Sequence, residues 1–313
     1  MILNTGNRTD IPAFYSQWFM NRIHEGYVLS RNPYNEDLVI RYSLSPDVVD
    51  LIQFCTKNPT PILPYIDELK RDYRMYFMVT ITPYGQEIEP HVPNKNRIID
   101  ATKSLSRKLG KENVIWRYDP IFINNKYTLE YHIHIFEEMC KKLRGYVDAC
   151  IFSYIDLYKK TIKNFPEVRK VTREEKEILA QGFSAIATRY NIKLRTCLEN
   201  DPFLHKYNID TSGCATKDKL EEATKLHFHI PKTDMMARAG CQCLLGNDIG
   251  AYNTCFHECR YCYANYDNKL VEKNLKRHDP TSPLLIGHVK PTDIIRDAKQ
   301  ISYIDKQTTI FDF

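Results

Sequence analysis

A chain of 313 residues, 43% hydrophobic and 27% charged, has enough apolar material for a proper core in one large or two medium domains. Its formal charge of +5 is mildly basic, which permits an anionic substrate or nucleic acid without demanding either. No run of eighteen or more apolar residues exists, and Met1-Ile-Leu-Asn-Thr-Gly6 lacks the basic region and long apolar stretch of a signal peptide, so the expectation is a cytoplasmic protein without a membrane partner.

Residues 2–5 read as a short buried strand followed by a polar turn to Asp10. Asp10 or Thr9 can cap the next helix, with Pro12 in its first turn and Phe14, Trp18, Phe19 and Ile23 at helical spacing up to Gly26. Tyr27 to Ser30 reads as a second strand, with Leu38 to Tyr42 a small excursion, and Val48 to Cys55 as a third. Pro59 opens a helical stretch bearing Ile62, Ile66 and Leu69. Met75 to Ile81 is almost continuously apolar, as a strand buried on both faces of a parallel sheet should be. A helix from about Asn94 to Leu109 returns to a strand at Val114 to Arg117. The next helix has Leu129, Ile133, Phe136, Cys140 and Leu143 on one face and feeds a strand at Ala149 to Ser153. Thr172 and Glu175 form a capping box ahead of Leu179, Phe183, Ile186 and Tyr190, and Lys193 to Cys197 is a seventh strand.

Short apolar strands alternating with helices predict a parallel sheet. Seven such units fit a (β/α) TIM-like barrel, full or partial, over residues 1–200. After Glu199 the pattern breaks, and residues 201–313 read as a C-terminal cysteine-rich iron–sulfur cap over one end of the barrel plus a tail.

Seven of the ten cysteines lie at or after Cys197, which in an intracellular chain of this size points to metal or redox chemistry. Cys255, Cys259 and Cys262 are separated by three and then two residues, with Tyr261 just before the last. Thiolates are the ligands of iron–sulfur clusters, and three of them on a four-iron cluster leave one iron open to a chelating molecule. The competing structural reading is a zinc site completed by His257 or another cysteine, although Cys241-x-Cys243 is too tight for an ordinary second pair. Cys197, Cys214, Cys241 and Cys243 are enough to close a second [4Fe–4S] cluster, while Cys197 alone also suits a small buried hydrophobe. Cys55, Cys140 and Cys150 read as core.

The spacing Cys-x₃-Cys-x-aromatic-Cys resembles the signature of the radical S-adenosylmethionine (SAM) enzymes, and Tyr261-Cys-Tyr263 looks like the spore photoproduct lyase branch. Over its length the chain is also similar to an uncharacterised bacterial family known only as a domain of unknown function, on stretches such as Arg8-Thr-Asp-Ile-Pro, Trp116-Arg-Tyr-Asp-Pro, Asp248-Ile-Gly-Ala-Tyr and Tyr261-Cys-Tyr-Ala-Asn. The radical SAM resemblance implies a [4Fe–4S] cluster on Cys255, Cys259 and Cys262, S-adenosyl-L-methionine on its open iron, reductive cleavage of that molecule, and radical chemistry on a substrate in the barrel mouth. It also implies an electron donor such as flavodoxin or ferredoxin. The motif departs from that pattern in position, because about 250 residues precede it instead of a single strand. The alternative is a SAM-independent iron–sulfur electron-transfer or metal-binding protein whose barrel binds a ligand or nucleic acid.

Active sites of such barrels are built at the C-terminal strand ends. By that rule Arg8, Asp10, Arg117, Asp119 and Glu199 are the catalytic candidates, and Asn58, Thr82 and Tyr84 cofactor-binding ones, to which the resemblance adds Tyr261 in the aromatic place of the motif. Arginine there can hold a carboxylate or phosphate in bidentate fashion, so the substrate is a small molecule or a nucleic acid. The structural reading has Asp10 as a helix cap and Arg117 with Asp119 as an ion pair.

Overall fold

In the computed structural model, residues 1–231, 240–244 and 246–305 are described. Six parallel strands form the main sheet: β1 (Ile2–Asn4), β4 (Leu51–Thr56), β5 (Met75–Thr80), β6 (Val114–Ile121), β7 (Ala149–Tyr154) and β8 (Lys193–Thr196). They lie side by side in that same order, so each crossover adds its strand on the same side as the one before and no switch point interrupts the sheet. With right-handed crossovers, such an order sends the connecting helices to one face. Those helices are α1 (Ile11–Phe14), α2 (Ser16–Glu25), α3 (Ile66–Asp72), α4 (Lys95–Leu109), α5 (Leu129–Leu143), α6 (Lys159–Asn164) and α7 (Arg173–Arg189).

The expected second strand belongs elsewhere. β2 (Tyr27–Arg31) pairs antiparallel with β3 (Leu38–Ser43), and β3 pairs in parallel with β9 (Ile294–Asp297) in a separate three-stranded sheet. The physical reason is the connection: residues 32–37 can turn a hairpin, whereas a parallel crossover needs a dozen residues or more. The main sheet therefore has six strands, and the C-terminal tail, to which sequence assigned no part, supplies an edge of the second sheet. The tail also caps the first helical unit, where the Trp18 indole N–H donates to the Ser282 carbonyl at 2.9 Å.

Alternation along the strands gives the main sheet two different faces. Phe54 stacks on Phe77, while Trp116 stacks on Phe136 of α5, which in turn stacks on Phe183 of α7, so this set faces the helices. The neighbouring positions carry Gln53, Tyr76 and Arg117, whose side chains reach the opposite face. Gln53 donates to the Leu244 carbonyl and Tyr76 to the Cys214 carbonyl. Arg117 lies against Cys55 and Met78. Chain from the C-terminal third thus covers this second face.

The same chain occupies both sheet edges. Asp248 forms a parallel bridge with Asn4 of β1, and Asp210 one with Arg195 of β8; the Leu244 N–H donates to the Ala215 carbonyl, linking the two segments. Helices α8 (Phe203–Lys206), α9 (Lys217–Thr224) and α10 (Asn268–Leu275) punctuate this part of the chain. The main buried core runs from Met1 to Tyr303, a small second cluster joins Leu29, Val39 and Leu284, and among the described residues no helix is long and apolar enough to cross a membrane.

Candidate active site

A cavity of about 470 Å³ opens at the C-terminal ends of the main strands. It gathers Asp10 after β1, Lys57 after β4, Thr80 of β5, Arg117 and Asp119 of β6, Ser153 of β7 and Cys197 after β8. Both expected cysteine groups face it, through Cys197, Cys214 and Cys241 on one side and Cys255, Cys259 and Cys262 on the other. Cys243 does not line the cavity, but its sulfur is 3.4 Å from that of Cys214. None of the ten cysteines is in a disulfide.

The Cys255–Cys262 loop is fastened to the turn after β1. Thr254 donates to the Thr9 hydroxyl at 2.7 Å, and His257 Nε2 lies 3.0 Å from Asp10 Oδ2. The Tyr263 hydroxyl donates to the Asn7 carbonyl at 2.7 Å, and Gly250 packs against Thr9 so closely that a Cβ would stand 2.9 Å from its methyl. A motif about 250 residues along the chain is thereby placed beside the end of the first strand. Within the loop, the Cys262 N–H donates to the Cys259 carbonyl at 2.9 Å, the Ala264 N–H to the Cys262 sulfur at 3.3 Å, and the Asn265 amide to the Cys255 carbonyl at 2.6 Å. Glu258 holds a left-handed φ of 52°, which turns the chain between two of the cysteines.

Beneath this loop sits a buried charge cluster. Glu89, 1% exposed, receives Lys57 at 2.8 Å as well as Lys95, Thr82 and the Tyr261 hydroxyl. Burial alone would push the Glu89 carboxyl up, yet the two ammonium groups hold it well below the usual range. Burial also raises the Cys259 thiol, and Lys57 and Lys95 oppose that rise. Cys255, beside Asp10 and the other two cysteines, is pushed up by burial with little cationic relief.

The second group is a run of thiols hydrogen-bonded in the order Cys197, Cys214, Cys243, Cys241. Cys243 accepts from Cys214, from Cys241 and from the backbone N–H groups of Cys214 and Ala215, at 3.2 and 3.3 Å, which brings its thiol down to about 3. Cys197 is lowered to about 7 by its hydrogen bond from Cys214 and by nearby Arg117. Cys214 and Cys241, as donors to these sulfurs, are raised.

Arg117 and Asp119 form a bidentate pair at 3.0 and 2.6 Å on the cavity wall, as the ion-pair reading expects, with Ser153 3.4 Å from the carboxylate. Among the described residues, the partners of Arg117 Nη1 are two sulfur atoms, of Cys55 and Met78, at 4.0 Å. Asp10 is a helix cap, accepting from the Ala13 N–H, and it also lines the cavity. Tyr261 lines the cavity as well, and the remaining candidates lie outside it. Arg8 is tied to Asp248 at 2.9 Å. Glu199 accepts from the Tyr154 N–H and from Lys176. Asn58 shapes its own turn, and Thr82 and Tyr84 are buried beneath the floor, Tyr84 donating to the Pro120 carbonyl at 2.8 Å.

Three participants carried no sequence signal: Glu89 and Lys95 follow a strand end by a loop of ordinary composition, and Cys55, read as core, is half-buried in the cavity wall. His257 was visible because it falls within the motif, but its partner Asp10 is 247 residues away.

The residues fit an iron–sulfur cluster in the following respects. Three thiols approach one cavity from a hydrogen-bonded loop, with ammonium groups nearby to offset thiolate charge. A cluster takes its thiolates on separate irons, so they need not converge on one point. Among the described residues, no group of three or more His, Cys, Asp or Glu side chains converges so as to hold a single metal ion.

A family model described as "Domain of unknown function (DUF1848)" matches residues 2–264, from the first strand of the main sheet to just past the third cysteine of the loop. No curated protein and no solved structure matches the chain.

Proposed function

We propose, on the premise that the chain belongs to the DUF1848 family, that it is a radical-SAM-like iron–sulfur enzyme whose six-stranded sheet acts as a partial (β/α) barrel. The observation that carries the reading is spatial. The Cys255, Cys259 and Cys262 loop is pinned to the turn after β1 and lines the cavity at the strand ends, where barrels of this kind keep their chemistry. The displacement of the motif in sequence is thus undone in space.

In this reading Cys255, Cys259 and Cys262 hold a [4Fe–4S] cluster with one open iron. S-adenosyl-L-methionine bound there, given one electron from a donor such as flavodoxin or ferredoxin, would be split at its sulfonium C–S bond into methionine and a carbon radical that takes a hydrogen atom from the substrate. Lys57 and Lys95 offset thiolate charge at Cys259, and the Asp10–His257 contact fixes the loop against β1. Asp119 holds the Arg117 guanidinium through Nε and Nη2, which leaves Nη1 without an oxygen partner among the described residues and suited to a carboxylate or phosphate. An oxygen-labile centre and unbridged cysteines suit the cytoplasm.

Cys197, Cys214, Cys241 and Cys243 are proposed as a second metal-binding set. One observation favours the SAM-independent, metal-binding reading for this set alone. The 3.4 Å between the Cys214 and Cys243 sulfurs is close to the edge of about 3.8 Å expected for two thiolates on one tetrahedral ion with bonds of about 2.3 Å.

Metal analysis of anaerobically purified protein tests the proposal. Wild type should contain iron and sulfide, and replacing Cys255, Cys259 and Cys262 together with Ala should remove about four irons per chain, one cluster's worth. The metal left behind identifies what the second set holds. Zinc without iron in the wild type would overturn the reading.

A further inference from the structure

The rim of the cavity is aromatic and basic to a degree that the proposed cofactor chemistry does not explain. Tyr158 and Tyr263 line the opening with ring centroids 6.3 Å apart and are 42% and 50% exposed. Tyr252 lines it as well, and Tyr266 beside it is 48% exposed. The ammonium of Lys160 lies 4.9 Å from the Tyr252 ring centre and 5.6 Å from that of Tyr266, and Lys163 lies 4.5 Å from the latter. Tyr34, at the tip of the β2–β3 hairpin, is 91% exposed and near enough to Tyr252 to influence its ionisation. Lys160 and Lys163 therefore belong to a patch in which large rings and cations alternate, with Lys159 beside them on α6.

Most large rings are at least mostly buried, so several exposed ones around one opening call for a ligand. Among the described residues Lys159, Lys160 and Lys163 form no salt bridge, which leaves their charge available. Arg8 is already neutralised by Asp248, and the Tyr158 hydroxyl lies 3.1 Å from the Asp156 carboxylate.

We infer that this rim is a binding surface for single-stranded nucleic acid, which stacks its bases on Tyr158, Tyr263 and Tyr266 and lays its phosphates on Lys159, Lys160 and Lys163. Flat rings accept any base face and the lysines accept the backbone, which is how strands are held without sequence readout. A duplex offers no free base faces to such a platform. The cavity volume points to a polymer as well. At about 470 Å³ it suits one drug-sized ligand, since pockets for these run from roughly 300 to 1,000 Å³. With the cofactor inside, only the reacting part of a substrate can enter, and the rest must lie on the rim. The size argument and what is done to the strand rest on the radical reading; the rings and lysines of the rim carry the binding without it.

The test is fluorescence anisotropy with the full anaerobically purified chain and a labelled mixed-sequence single-stranded oligonucleotide, as DNA and as RNA, across a salt series. One of the two should bind, with a log–log salt slope of about −2, from roughly −0.7 for each of the three lysines. Lys160→Gln should flatten that slope by about 0.7. Tyr158→Ala and Tyr266→Ala should each weaken binding about 5- to 150-fold, and Tyr→Phe at the same positions should restore it, because stacking needs the ring and not the hydroxyl. Absence of binding to either strand at low salt would overturn the inference. So would alanine variants that bind as wild type while inorganic polyphosphate competes as well as the oligonucleotide, since that is charge attraction alone. A chain that binds the strand but never cleaves SAM leaves this inference standing and removes the radical reading; one that cleaves SAM and binds no strand does the reverse.

Discussion

His132 illustrates how a single buried side chain links burial to pH. It is fully enclosed between the Tyr118 hydroxyl at 2.9 Å and the Phe122 carbonyl at 3.0 Å, and burial lowers its pKa to about 4 from an ordinary 6.5. Above about pH 6.5 the ring is neutral in both folded and unfolded chains, so nothing is lost. As the pH falls below that value the unfolded chain takes up a proton that the folded one refuses, and stability declines until about pH 4. The whole decline amounts to roughly 3 kcal/mol. Urea unfolding of wild type and His132→Gln at about pH 7.5 and 4.5 should show a smaller acid loss in the variant; equal losses would clear His132 of the effect. The sequence does not show this burial, because a helical histidine near an apolar face carries no mark of what lies opposite. Glu89 was invisible for a related reason: its partners Lys57, Lys95 and Tyr261 come from three different segments.

At the scale of elements, what is local was legible and what depends on pairing was not. The capping box of α7 forms as expected, with the Thr172 hydroxyl accepting from the Glu175 N–H and the Glu175 carboxylate accepting from the Thr172 N–H. Thr172→Ala should therefore lower stability by about 1 kcal/mol, read as a reduced urea midpoint with an unchanged slope. The strands β1, β4, β5, β6, β7 and β8 all follow from apolar runs bounded by turn residues. β2 was also found, but its place in a second sheet was not, since pairing is fixed by the length of the connection and by a tail strand near residue 294. β9, with all four residues exposed, has no apolar signature to read.

For the whole molecule, the candidate site is an assembly of distant segments, so sequence could mark the cysteine loop by its local spacing but not what surrounds it. That both groups face one cavity, and that Arg8, Asn58, Thr82, Tyr84 and Glu199 stay outside it, depends on how the segments at Asp210 and Asp248 cover the sheet edges. If the cavity cleaves SAM as proposed, chromatography of the reconstituted protein incubated anaerobically with SAM and dithionite should show 5′-deoxyadenosine in wild type and none after Cys255, Cys259 and Cys262 are replaced together with Ala. A wild-type protein that holds iron and sulfide yet forms no 5′-deoxyadenosine, or a triple variant that forms as much as wild type, would contradict it.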